Sequence, residues 1–260
     1  MDAGSRSVTD MRRKFLFPLL LLLLLSACAQ PQTAETTAPA ETVPAATEPT
    51  TLPAHSDLYD PSVSVEDVIR YFTEVCLDAE IINSGDPSRL QKWDEPIRYQ
   101  ICGNPTAEDL ATLEAFTRWL NTLEGFPGIA EAENIPEANF PIHFCTQEEM
   151  LGLMGPGFDS MDGAVTFWYD NDRIYHAIVC IRTDLDQNLR NSVILEELYN
   201  SLGPIQDTQL RPDSIIYAEY SEPQALTPVD ELILKLLYHP DMQCGMTSEA
   251  CESAIRNLYY

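Results

Sequence analysis

Apolar residues recur at helical spacing in several separate stretches of the chain. Val65, Val68, Ile69, Phe72, Val75 and Cys76 lie three or four apart or adjacent. They predict a helix capped by Ser64, with Asp67 three residues on, that runs to about Glu80. Leu110, Leu113, Phe116, Leu120 and Leu123 predict a second, opened by Thr106 with Asp109 in the box position and stopped by Gly125. Thr146 with Glu149 opens a short helix to about Met154, and a long one runs from about Gln187 to Leu202 before Gly203 and Pro204. Thr227-Pro228-Val229-Asp230 combines a cap, a first-position proline and an acid at the third position. Leu232, Ile233, Leu236 and Leu237 give that helix its apolar face, and a last helix is expected over 248–258. Shorter apolar runs predict strands at Ile97–Cys102, just after Trp93, and at Phe140–Cys145. Ala164–Tyr169 and Arg173–Thr183 form a hairpin around Asp170-Asn171-Asp172. Residues 204–226 show no period. Helices, then strands, then helices argue an α+β domain built on a mixed sheet.

The first quarter of the chain has a different pattern. Arg12, Arg13 and Lys14 precede the apolar run FLFPLLLLLLL at 15–25, followed by Ser26, Ala27 and Cys28. A basic region, a short apolar run and small residues make a secretory leader, too short to span a bilayer, which takes about 20 residues. Leu25-Ser26-Ala27-Cys28 resembles the bacterial lipobox, which implies cleavage before Cys28 and a lipid on its thiol. Residues 29–54 contain 19 Ala, Thr or Pro among 26, with no Lys, Arg or aromatic residue. Such a segment cannot build a core and reads as a disordered tether. The expected organisation is a leader at 1–27, a lipidated Cys28 with its tether at 28–56, and one folded domain at 57–260. The expected location is the extracytoplasmic face of the cell membrane.

Charge narrows the partners. The formal net charge is −26, and removing 1–27 makes it more negative. A chain this acidic does not bind nucleic acid through phosphate neutralisation, and an anionic membrane surface repels it. Membrane attachment therefore falls to the lipid, and the expected partner is an envelope protein or peptide. Six cysteines follow Cys28: Cys76, Cys102, Cys145, Cys180, Cys244 and Cys251. An even number in an exported domain allows disulfides, while a domain of this size can also bury free thiols. Cys145 and Cys180 lie on expected strands and are candidate cross-strand partners.

Chemistry concentrates in Ser192–Asp207, SVILEELYNSLGPIQD. Zinc peptidases place H-E-x-x-H on one helix face, and the extended frame adds a glycine turn and a third His. Laid on this chain, Glu196 takes the first His place, Glu197 the general-base place and Asn200 the second His place. Gly203 falls on the glycine and Gln206 on the third ligand, with Asp207 next to it. All three imidazoles are replaced. Zinc is not expected, because the donors are oxygens and amides; a harder ion such as calcium remains an alternative for Glu196, Asn200 and Asp207. His55, His143, His176 and His239 are scattered and do not restore a ligand set.

Ser214-Ile215-Ile216-Tyr217, with Leu226-Thr227 and Asp230 and then Leu236-Leu237-Tyr238, resembles the tail of matrixin-like metzincins, with Ile216 where the turn methionine stands. In order and spacing the chain more closely resembles the exported family called domain of unknown function 2927. The matching pieces include Val68–Phe72, Lys92-Trp93, Glu196-Glu197-Leu198, Leu202-Gly203, Asp207, Ser214-Ile215, Asp230, Leu237–Pro240 and Gly245-Met246. The resemblance implies a zincin-like single domain, with a twisted mixed sheet and a long helix of the active-site type. It also implies a remnant site of Glu196, Glu197, Asn200, Gly203, Gln206, Asp207, Ile216 and Tyr217. Two functions stay open: a non-catalytic binding or assembly domain, with no cofactor, or an active envelope hydrolase using Glu197.

Overall fold

The computed structural model describes residues 56–77 and 89–260. The expected leader, Cys28, the tether up to residue 55 and the expected end of the first helix at Glu80 lie outside the described residues. Among the described residues no helix is long and apolar enough to cross a membrane.

The elements are α1 (Val65–Leu77), β1 (Lys92–Trp93), β2 (Ile97–Gly103), α2 (Ala107–Leu120), β3 (Ile129–Glu131), β4 (Phe140–Cys145), α3 (Gln147–Met154), β5 (Gly163–Asp170), β6 (Arg173–Arg182), α4 (Gln187–Asn200), α5 (Pro228–Tyr238) and α6 (Ser248–Tyr259). Thr106, Thr146 and Thr227 each accept from the backbone N–H three residues on. The acid there, Asp109, Glu149 or Asp230, accepts from the cap's own N–H. These reciprocal bonds satisfy helix-end donors that no intrahelical carbonyl reaches.

All six strands among the described residues join one sheet. Its order is β1-β6-β4-β2-β3, with β5 added to β6. Every pairing is parallel except β5 with β6, whose hairpin turns through Asn171 and Asp172, both at positive φ. The structure corrects the α+β reading: this is a mixed α/β fold with a mostly parallel sheet. Parallel neighbours need crossovers, so α2 lies between β2 and β3, and α3 with β5 lies between β4 and β6. The linear order of helices and strands hid this alternation because β1 and β3 are too short to show a period.

One sheet face belongs to the main core. Phe140, Ile142 and Phe144 of β4 and Ala177, Val179 and Ile181 of β6 pack there with buried residues of α1, α2, α4 and α5. Residues one step off in the same strands, Cys145 and Cys180, join Ala164 and Met150 in a smaller cluster. A buried ion pair ties α2 to α4. Arg190 donates through Nε to Asp109 Oδ1 at 2.8 Å, and through Nη1 to the Thr183 carbonyl at 2.9 Å. Gln187 donates to the same Asp109 oxygen at 2.6 Å. Because Asp109 also caps α2, one carboxylate sets both the start of that helix and its docking on α4.

Candidate functional site

The start of α4 is fixed by Asp186, whose Oδ1 accepts from the N–H groups of Asn188 at 3.1 Å and Leu189 at 3.2 Å. Its last carbonyls are held from outside the helix. Trp93 Nε1 donates to the Ser201 carbonyl at 3.0 Å, and the Tyr238 hydroxyl to that of Leu202 at 2.8 Å. The chain then turns at Gly203, whose φ is +129°. A Cβ there would stand 2.7 Å from the Gln91 carbonyl oxygen, so only glycine suits both the conformation and the space.

The turn brings Asp207 back to α4, where Asn200 Nδ2 donates to its Oδ1 at 3.3 Å. The segment that follows is pinned to α1: Glu74 accepts from the Thr208 hydroxyl and, at 2.9 Å, from the Gln209 N–H. The Gln206 N–H donates to the Val75 carbonyl at 3.3 Å. Thr208 and Tyr217 form an isolated bridge, with Thr208 N donating to the Ile216 carbonyl at 2.8 Å. An irregular stretch is thus held along its length by side chains and single backbone bonds.

Beneath it lies Asp230, fully buried. Its Oδ1 accepts from Ser214 Oγ at 2.8 Å and from the Tyr71 hydroxyl at 3.0 Å. Its Oδ2 accepts from the N–H groups of Ile215 at 3.2 Å and Thr227 at 3.0 Å and from the Thr227 hydroxyl at 2.8 Å. Five donors from three parts of the chain meet one carboxylate. The capping box signalled Asp230 in the sequence as a helix-start residue only; its bonds to Tyr71 and Ser214 have no local signal.

The structure brings Glu196, Glu197, Asn200 and Asp207 together and leaves the other predicted residues around them. Ile216 is fully buried in the main core. Tyr217 is half-buried beside Thr208, and its phenol is raised by burial and by the neighbouring Glu219. Glu197 points inward: it is 8% exposed and packs beneath the first residue of β5. A Cβ on Gly163 would sit 2.6 Å from Glu197 Oε1 and 2.5 Å from Val193 Cγ1, so the missing side chain at Gly163 is what lets α4 approach the sheet. The Oδ1 of Asn200 is buried without a partner.

Electrostatics follow from this placement. Burial pushes Glu197 well above the usual carboxylate range, and Glu196 and Asp207 add to the effect. Burial, helped by Asp207 and Asp162, pushes Glu196 up to about 8. Asp207 is raised by burial, against the bond from Asn200. Burial of Glu197 and repulsion among the three carboxyl groups all act against their ionising together. Zinc does not fit them, since the cluster has neither imidazole nor thiolate and its amide already donates to Asp207. Among the described residues no three His, Cys, Asp or Glu side chains converge as a metal-holding group.

A search of curated proteins finds no match. The model of one protein family, described as Protein of unknown function (DUF2927), matches residues 65–257, from the first turn of α1 to near the end of α6. That span takes in the sheet, α4, the Gly203 turn and the Asp230 network, and the chain belongs to the DUF2927 family.

Proposed function

We propose that the protein is a cell-envelope lipoprotein whose degenerate, metzincin-like domain binds or assembles with an envelope protein or peptide without cleaving it. One observation carries this reading. Glu197, at the general-base position of the peptidase frame, is buried beneath Gly163, and burial with the neighbouring Glu196 and Asp207 pushes its carboxyl well above the usual range. A general base must be ionised and in reach of the water it activates. Where a zinc frame would use three ligands, Asn200 instead ties Asp207 to the helix. The frame thus serves to hold the 204–218 segment. An extended partner has a place to pair, because β5 pairs with β6 alone among the described strands.

A second reading rests on Glu196. It is half-buried and protonated to about pH 8, so it holds a proton that an acid catalyst could donate. The comparison of Glu197→Gln with Asn200→Ala separates the two. We expect Glu197→Gln to complement a deletion of the gene in its host as well as the native chain does. Asn200→Ala should cost on the order of 1–3 kcal/mol in unfolding experiments, since Asp207 then loses its donor. Lost complementation by Glu197→Gln at undiminished thermal stability would make the protein an enzyme.

The anchor has its own test. Cys28→Ala should leave the precursor unprocessed or release the protein from membranes, because lipid on this thiol is the proposed attachment. Normal processing with unchanged detergent partitioning in that variant would refute lipidation.

A further inference from the structure

The sheet face turned away from α4 carries a cluster that the reading above does not use. Gly163 faces α4, so alternation along β5 turns Ala164 to the other side, and Ala164 is paired with Cys180 of β6. In the parallel β4–β6 register Cys180 stands opposite His143, and Cys145 stands opposite Arg182. Both thiols therefore project to this face, two residues out of step. Across neighbouring strands such an offset separates Cα atoms by about 7–8 Å, and a disulfide does not bridge more than about 7 Å without backbone movement. Both side chains nevertheless sit in one buried cluster with Met150 and Ala164, and both are free cysteines.

Helix α3 closes the cluster with sulfur. Met150 is fully buried against the two cysteines, and Met154 packs at its edge. A pocket of about 350 Å³, lined by Cys145, His143, Glu149 and Leu153, leads from solvent to the nearer thiol. Two adjacent thiols that are badly placed for a disulfide, a thioether and a way in from solvent suit a soft ion, for which thiolate and thioether ligands are selective. Hard and borderline ions lack a third nitrogen or oxygen donor here.

We propose that Cys145 and Cys180, with Met150 as a third sulfur donor, form a binding site for a soft monovalent metal ion of the Cu(I) or Ag(I) class. The ion replaces two S–H protons, which pass to solvent, and the product is a bis-thiolate complex carrying one net negative charge. No electron moves, and no oxidant is needed.

The test uses the reduced full-length protein and Cu(I) presented in competition with a chromophoric chelator. One equivalent per chain should be withdrawn from the chelator, with a new ultraviolet thiolate-to-metal band. Alkylation read peptide by peptide should show Cys145, which lines the pocket, protected by the ion while Cys244 labels as before. Cys145→Ala should lose the equivalent, and Met150→Leu, which conserves volume, should weaken binding by about tenfold. Wild-type protein that leaves all Cu(I) on the chelator, or that leaves Cys145 unprotected, overturns the proposal without any variant needing to fold. Equal retention by Cys145→Ala, or equally tight zinc binding by the native chain, overturns it as well.

Discussion

Asp230→Ala should lower the unfolding free energy by about 3–5 kcal/mol, a range set by removing one partner of a buried charged network. The substitution leaves the Tyr71 and Ser214 hydroxyls and the Ile215 and Thr227 N–H groups without their acceptor. Each buried group left alone costs about 1–3 kcal/mol. It also removes the acid of the α5 capping box, worth about 1 kcal/mol in itself. The damage should not stay local, because Ser214 also accepts from the Ile216 N–H and so sets the 214–217 turn. Urea unfolding should show a lower midpoint with an unchanged slope. A loss below about 1 kcal/mol would mean that water replaces the carboxylate, and that the network is not what holds α1, the turn and α5 together. Asp230→Asn offers one oxygen but places an amide against donors, so it should fall between the native chain and Asp230→Ala.

The second large effect is a stability that falls as pH rises. Glu196 goes from its ordinary 4.5 to about 8 in the folded state, and Glu197 is raised as well, so across this range the folded chain binds more protons than the unfolded one. Stability contributed by such a group is fully present below pH 4.5 and is lost as pH climbs through the folded value. For Glu196 the loss is about 3 kcal/mol after allowing for screening of a half-buried group, from 1.36 kcal/mol per pH unit. His143 and His176, both lowered by burial, run the opposite way on the acid side of 6.5, where the unfolded chain binds the extra protons. Below about pH 4 a different set takes over. Asp109, despite its burial, is held down by Arg190 and the Thr106 N–H, and its contribution is lost on acidification. Glu197→Leu isolates the cluster. It removes a carboxyl that burial and two neighbouring carboxyls disfavour when charged, so it should be neutral or stabilising at pH 5 and stabilising by about 2 kcal/mol or more at pH 9. Thermal melts of both proteins from pH 5 to 9 test this. Parallel curves would show that Glu197 titrates freely, and would remove the reason for denying it a catalytic role.

The three Thr-initiated helices could be read from sequence because a capping box is a local device: cap and acid stand three residues apart, whatever else the chain does. Strand β4 was equally legible, as an apolar run closed by the next cap. The turn at Gly203 announced itself because only glycine takes that backbone next to a helix end. By contrast, β1 and β3 have two and three residues, too few to show alternation, and without them the parallel order of the sheet was invisible. Helix periodicity alone set Glu197 beside Asn200 on a polar face. The tertiary fold put it inside, because Gly163, more than thirty residues earlier, leaves the space its carboxyl occupies. Nor did any spacing in the chain announce that Asp230 would collect Tyr71 and Ser214; Cys145 and Cys180 were readable as cross-strand partners, but not their two-residue offset or Met150 above them. The chain's own sequence determined the helix starts, the turn at Gly203 and which side chains could carry charge. Strand order and the distance of α4 from the sheet decided which of those charges had to stay neutral, since burial acts between elements that the linear pattern does not connect.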